Sequence, residues 1–157
     1  MPRRWDDRAL EALPLRLMIV ALVASMSVLP AAQALSGFED REFMRRAEMQ
    51  LDRLVTASQI LTVQGPGNVR TLSLDFTSSG RLAFDRLRVG DRPDGPNASG
   101  VIVLLNNGAR VTRLAMDPAC TLCSKDGSVF VSTQPAFDLR LTALMENRTI
   151  LVRLEMV

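Results

Sequence analysis

The chain has 157 residues, 47% of them hydrophobic, a formal net charge of +2, and neither histidine nor tyrosine. That length holds a single domain, or one domain plus an extra element, and so small a charge gives no electrostatic footprint for nucleic acid. Without histidine the commonest general base, the commonest zinc ligand and the Ser-His and Cys-His nucleophile pairs are all excluded.

At the N-terminus the basic residues Arg3, Arg4, Arg8 and Arg16 precede residues 17–38, which carry no charge over 22 positions. At about 1.5 Å per helical residue that run reaches ~33 Å, enough to cross a hydrocarbon core of about 30 Å. The acidic pair Glu39-Asp40 comes directly after it. With the positive charges ahead of the span, Met1 is expected in the cytoplasm and everything after Phe38 outside. Two processing routes compete. Ala32-Gln33-Ala34 fits the small-x-small cleavage site of a secretory signal peptide, with Pro30 breaking the helix ahead of it. Alternatively a short charged leader, residues 1–9, is removed and the apolar run stays in the mature chain. The run exceeds the ~7–15 residues of a signal-peptide core, and the segment after it continues as helix. Both features favour the second route.

In that continuation Met44, Ala47, Leu51, Leu54, Ser58 and Leu61 are spaced 3, 4, 3, 4 and 3 apart, which keeps one stripe of a helix apolar, as in a coiled-coil seam. These six residues are the expected assembly face. Gly65-Pro66-Gly67 stops the helix. A helix over residues 10–64 would be roughly 80 Å long, bent at Pro30, with residues 17–38 as its transmembrane part and 39–63 as its amphipathic part.

Beyond Gly67 the periodicity changes from helical to alternating. Leu72, Leu74 and Phe76 face one way and Thr71, Ser73 and Asp75 the other. Leu82 and Phe84 alternate, and Leu87 and Val89 resume in the opposite phase, which predicts a bulge near Asp85-Arg86. Residues 90–100, rich in Pro, Gly and Asp, read as a loop. Residues 101–105 form a continuous apolar run, expected of a strand covered on both faces. Asn107-Gly108 supplies the positive φ angles of a tight hairpin to a returning strand over 109–116. A short strand at 129–131, an alternating one at Phe137, Leu139, Leu141 and Ala143, a turn at Glu146-Asn147 and a last alternating strand at Ile150, Val152, Leu154 and Met156 complete the pattern. Seven or eight strands with hairpin spacing predict a small antiparallel sandwich or curled sheet over residues 68–157. The expected fold class is α+β: a long N-terminal transmembrane or assembly helix followed by a small antiparallel β-sandwich-like domain.

The chain offers little chemistry. Cys120-Thr121-Leu122-Cys123 has the spacing of a redox motif, but lies in a region of β character between Asp117-Pro118 and Lys125-Asp126-Gly127. A zinc site would need two further ligands, which the chain lacks. A small disulfide between Cys120 and Cys123, pinning a loop in an oxidising exterior, is the expectation. Asn97-Ala98-Ser99 and Asn147-Arg148-Thr149 are N-glycosylation sequons in predicted turns, which makes Asn97 and Asn147 candidate acceptors. Gly65-Pro66-Gly67 is too short for a phosphate cradle and comes after a helix. Asp91, Asp94, Asp117 and Asp126 lack the spacing of a calcium loop. No catalytic, cofactor-binding or metal-binding set is expected.

Arg8-Ala9 followed by Leu10-Glu11-Ala12-Leu13-Pro14-Leu15-Arg16-Leu17 and an apolar helix resembles the class III signal peptide of archaeal type IV pilin-like proteins. The stretch from Ser58 to Phe76, where a heptad helix breaks at a Gly-x-Gly turn and enters a β domain, resembles the same family. The resemblance covers roughly residues 8–76. It implies cleavage between Ala9 and Leu10 by a prepilin peptidase, retention of the helix in the mature subunit, and self-association or association with other pilin-like subunits at the cell surface. Pro14 stands at the fifth mature position, where bacterial pilins carry glutamate. A non-enzymatic filament subunit is therefore the expected function. A membrane-anchored extracellular binding module, stator-like or S-layer-associated, and a β domain secreted after cleavage at Ala34 are the alternatives.

Overall fold

A computed structural model of the chain describes the backbone of residues 7–92, 95–116 and 119–157, and their side chains apart from 7–14 and 29. It divides into two compact units, Met1–Phe38 and Glu39–Val157. One helix, α1 (Asp7–Gln64), contributes to both. Eight strands come after it: β1 (Val69–Asp75), β2 (Phe84–Val89), β3 (Gly100–Leu105), β4 (Arg110–Leu114), β5 (Thr121–Ser124), β6 (Phe130–Ser132), β7 (Ala136–Glu146) and β8 (Thr149–Met156).

In the first unit the helix runs through Pro30, whose missing N–H leaves the Met26 carbonyl without its helical donor. Among the described residues eleven large apolar side chains from Leu15 to Phe38 are exposed, Met26 to 70%. Leu17, Met18, Ile19 and Val20 are consecutive, so their exposure covers every direction around the axis. The hydroxyls in the run turn inward onto their own helix. Ser25 donates to the Leu22 carbonyl (2.8 Å), Ser27 to that of Val23 (2.9 Å) and Ser36 to that of Gln33 (3.0 Å). A segment bound for lipid must satisfy its polar groups in this way.

In the second unit residues 39–64 of α1 bury one stripe. Phe43, Ala47, Leu51, Leu54, Ala57, Ser58 and Leu61 are all at or below 3% exposure. The helix then ends in a glycine cap: Gly65, at φ 88°, donates its N–H to the Leu61 carbonyl (3.1 Å), and only glycine takes that left-handed turn without penalty.

The strands form two four-stranded sheets, ordered β1-β7-β8-β5 and β4-β3-β2-β6. Alternation decides which side of each is apolar. Leu74, Phe137, Leu139, Leu141, Val152 and Leu154 from the first sheet join one core with Leu87, Val89, Val101, Val103 and Val111 from the second and with the buried stripe of α1. The strand over Val101–Leu105 is buried or half-buried throughout, as its unbroken apolar run predicts. The change of phase at Asp85-Arg86 is a bulge, with the β2–β3 register shifting between Phe84 and Arg86.

Three local expectations are corrected. First, the pairing is not wholly antiparallel, because β5 runs parallel to β8, with Thr121 opposite Leu151 and Ser124 opposite Leu154. Second, the β3–β4 connection is a three-residue loop, Asn106-Asn107-Gly108, rather than a two-residue turn. Gly108 alone has positive φ (80°), its N–H bonds the Leu105 carbonyl (2.9 Å), and the Asn107 side chain accepts from the Ala109 N–H (2.9 Å). This is a turn closed by a left-handed glycine at a bulge. Third, the β7–β8 turn is centred on Asn147-Arg148, at φ 49° and 65°, where two positive angles match the strand twist.

Arg148 bears a β-carbon in a conformation that costs an L-residue about 1–2 kcal/mol. Arg148→Gly is expected to stabilise the unit by about 0.5–1 kcal/mol, since glycine recovers that strain at some entropic cost. A chemical denaturation midpoint that rises with unchanged slope would bear this out.

Candidate functional site

The expected assembly face lies inside its own protomer. Ala47, Leu51, Leu54, Ser58 and Leu61 are fully buried in the core of the β unit, and Met44 is half-buried at its margin. Phe43, which the 3-4 spacing passed over, is 1% exposed and takes the first position of the stripe. A straight helix advances 3.6 residues per turn, so a row through Ala47 and Leu51 extends back to Phe43 as naturally as to Met44. The apolar stripe is thus covered within the protomer by the two sheets. What it leaves outward is a mixed face with Arg45, Met49, Asp52, Arg53, Thr56, Ile60 and Val63.

Polar contacts fix this helix against the strands. Arg113 of β4 binds Asp52 (Nε–Oδ1 2.8 Å) and Glu48 (3.3 Å), a forked pair that is partly exposed and worth at most about 1 kcal/mol. The Leu82 N–H donates to Asp40 Oδ1 (3.0 Å). Ser58, the one buried hydroxyl in the stripe, donates to the Leu54 carbonyl (2.8 Å), while Thr62 Oγ1 donates to Cys120 Sγ (3.1 Å). Beyond this seam Asp75 accepts the Thr77 N–H (2.8 Å), and that backbone bond, with the Thr77 hydroxyl, holds its carboxyl below the usual range.

The expected disulfide is not formed. Cys120 and Cys123 are free and both buried. They flank and enter a strand rather than a loop: β5 is extended, so residues three apart are separated by about 10 Å and point to opposite faces. A disulfide needs Cα atoms within about 7 Å. Cys120 faces Ser58 and Thr62 of α1, whereas Cys123 stands opposite Arg153 of β8 on the other side of the sheet. Burial pushes both thiols up, Cys120 against the bond from Thr62 and Cys123 against the charge of Arg153.

Thiols raised by burial are poor nucleophiles. Neither cysteine is expected to react with a maleimide in the native protein at neutral pH, and both should react on denaturation. The folded state favours the protonated thiols. Their stabilising effect is whole at neutral pH and declines as pH climbs past the ordinary thiol value of about 8.5 toward the raised folded values. Denaturation midpoints should therefore fall as pH rises above about 8.5, less so in Cys120→Ala/Cys123→Ala.

The remaining candidates are dispersed. Asn97 and Asn147 are both exposed, the latter at the β7–β8 tip. Asp91 accepts the Arg92 N–H (2.8 Å) and Asp126 lies in the turn after β5, while Asp94 and Asp117 fall outside the described residues. Among the described residues no group of three His, Cys, Asp or Glu side chains could hold a metal. Of the leader, residues 1–6 lie outside the described residues. Ala9 and Leu10 fall within α1, and their side chains lie outside that description.

The chain matches no protein-family model, no curated protein and no solved structure. Any functional reading rests on its own geometry. The feature with the clearest physical demand is the helix from Leu15, long and apolar enough to cross a membrane. Its best 18-residue window has a mean hydropathy of 2.0, with none of it buried in the chain.

Proposed function

We propose that the chain is a non-enzymatic, pilin-like structural subunit of an archaeal type IV pilus-like surface filament. In this reading a prepilin peptidase cuts between Ala9 and Leu10, residues 17–38 remain as the membrane and assembly segment, and the two sheets form a small sandwich displayed outside the cell. One observation carries it: the apolar segment is exposed on every side, with its hydroxyls turned onto its own backbone. Each large apolar side chain removed from water contributes about 1.5–3 kcal/mol. Eleven such side chains need lipid before assembly or sister helices after it.

The burial of the Phe43–Leu61 stripe confines this role to the upstream segment. It also favours one alternative, a membrane-anchored extracellular binding module, because the β unit completes its own core without a neighbouring copy. Intact mass of the membrane-extracted protein separates the readings. A mature N-terminus at Leu10 with filaments under the electron microscope is expected. Retention of Met1 would sink the filament reading in favour of a plain anchor, and a start at Leu35 would leave only a secreted domain. Replacing Arg8 and Ala9 should block processing under the filament reading and change nothing under the anchor reading.

A further inference from the structure

The outward face of the second sheet carries charge of one sign. Opposite the buried Leu87, Val89 and Val111 it presents Arg86 and Arg88 of β2 and Arg110 of β4, all exposed. Asp85, at the bulge, is the one carboxylate in the four strands, and it binds Arg86 (2.9 Å). Among the described residues Arg88 and Arg110 have no ion pair. The outward face of the first sheet is balanced instead, with Asp75, Asp138 and Glu155 set against Arg140, Arg153 and Lys125.

Apolar side chains lie between and beside the three arginines. Register puts Arg86 and Arg110 on either side of Leu104, and Arg88 and Thr112 on either side of Ile102. Val131 of β6 lies beyond Arg88 and is 50% exposed. Leu114, opposite the bare Gly100, is 56% exposed. Strand spacing separates Arg86 from Arg110 by about 10 Å. The result is a flat face of aliphatic groups edged by guanidinium groups. It holds no aromatic ring on which a nucleic-acid base could stack.

We infer that this face docks on the anionic headgroup layer of the membrane that residues 17–38 cross. The inference rests on the membrane reading of that segment, which the filament and anchor proposals share, and adds a second lipid contact made by the β unit. Charge complementarity argues for it: forked guanidinium donors match phosphate oxygens, and long arginine stems keep the charged heads at the phosphates while aliphatic neighbours enter the boundary beneath. The tether supplies the rest. A face this small would hold a free domain weakly, but a spanning helix in the same chain makes the encounter intramolecular.

The full chain, reconstituted in vesicles of brominated phosphatidylcholine with about 30% phosphatidylglycerol, tests this. Thr112→Cys carries an environment-sensitive fluorophore on the face, and Ser73→Cys carries it on the outward side of the first sheet as the control. The native thiols are buried and stay unlabelled. Lipid quenching at position 112 is expected to exceed that at position 73 about fivefold, and to fall to the control level at about 500 mM NaCl or without phosphatidylglycerol. Arg88→Glu/Arg110→Glu should abolish the excess while the chain stays in the vesicles. Arg88→Gln/Arg110→Gln should lose most of it, and serves in place of the reversal should that variant misfold. Equal quenching at the two positions, or an excess that survives in folded arginine variants, would overturn the lipid face and leave the spanning helix standing. A wild type washed from the vesicles by alkaline carbonate would overturn the membrane reading itself. Shielding of the label from aqueous iodide that grows with protein density, without lipid quenching, would overturn the inference by assigning the face to a second copy.

Discussion

Gly90→Ala is expected to leave the chain without a folded Glu39–Val157 unit. Gly90 closes β2 at φ 68°, and a β-carbon built there would lie 1.8 Å from the Leu122 carbonyl oxygen and 2.5 Å from its carbon. Both are backbone atoms of β5, so no side chain can swing aside. The backbone here is itself engaged. Gly90 donates its N–H to the Gly100 carbonyl (2.7 Å), Asp91 to that of Leu122 (3.3 Å), and Leu122 to that of Ala98 (2.7 Å). These bonds cover the outer edge of β5, which would otherwise offer unpaired groups to another chain, and tie the end of the second sheet to the first. A methyl group must break this stitching. The cost should exceed the 4–5 kcal/mol that marks exceptional single substitutions, a large share of the roughly 5–15 kcal/mol available to a domain. Gly108→Ala is the control. Gly108 also has positive φ, at 80°, but nothing lies within 4 Å of its would-be β-carbon, so only the left-handed strain of about 1–2 kcal/mol applies. Circular dichroism melts of the two variants should differ in kind, one without a cooperative transition and the other with a modestly lowered one. Equal melts would sink the argument.

This contrast also explains what the sequence revealed and what it withheld. Strong periodicity was readable. The alternation in β7 and β8, the phase change at Asp85-Arg86 and the unbroken run of Val101–Leu105 all predict what is observed. Each reflects a local rule, that neighbouring side chains on a strand point oppositely unless a residue is inserted. The parallel β5 was not readable. Thr121–Ser124 is four residues long, too short to display a period, and its partner β8 is set by tertiary packing rather than by a hairpin. The disulfide expectation failed through the same gap, because a CxxC taken for a loop can bridge and one drawn out in a strand cannot. Gly90 gave no signal beyond ending a strand, since its importance lies in the approach of a segment over thirty positions away. For the candidate site the legible part was the apolar helix. The stripe below it was seen as a stripe, but its partner was assigned outside the chain when the two sheets supply it. A heptad pattern specifies that one face must be covered, without specifying by what.

Leu54→Ala and Val23→Arg should separate the two halves of α1 into independent roles. Leu54 has no solvent exposure and belongs to the core that unites the helix with both sheets. Truncating it loses the transfer energy of the side chain and leaves a cavity that close-packed neighbours refill only partly, at a cost of about 2–5 kcal/mol. The melting temperature of the β unit should fall by roughly 10 °C, while membrane retention is unchanged. Val23 is 57% exposed and lies in the apolar run. An arginine there costs about 2.5–3.5 kcal/mol at the centre of a membrane-spanning helix and puts a charge into any packed bundle of sister helices. It should weaken membrane retention and assembly and leave the thermal transition of the β unit where it was. Protease-resistant fragments of the β unit, followed on heating, read the first effect, and fractionation with electron microscopy reads the second. If Val23→Arg lowered the melting transition, the upstream segment would be supporting the fold rather than seeking lipid. If Leu54→Ala abolished assembly while the β unit stayed as stable as wild type, the stripe would be serving neighbouring copies after all, and its burial within the protomer would have to open when they meet.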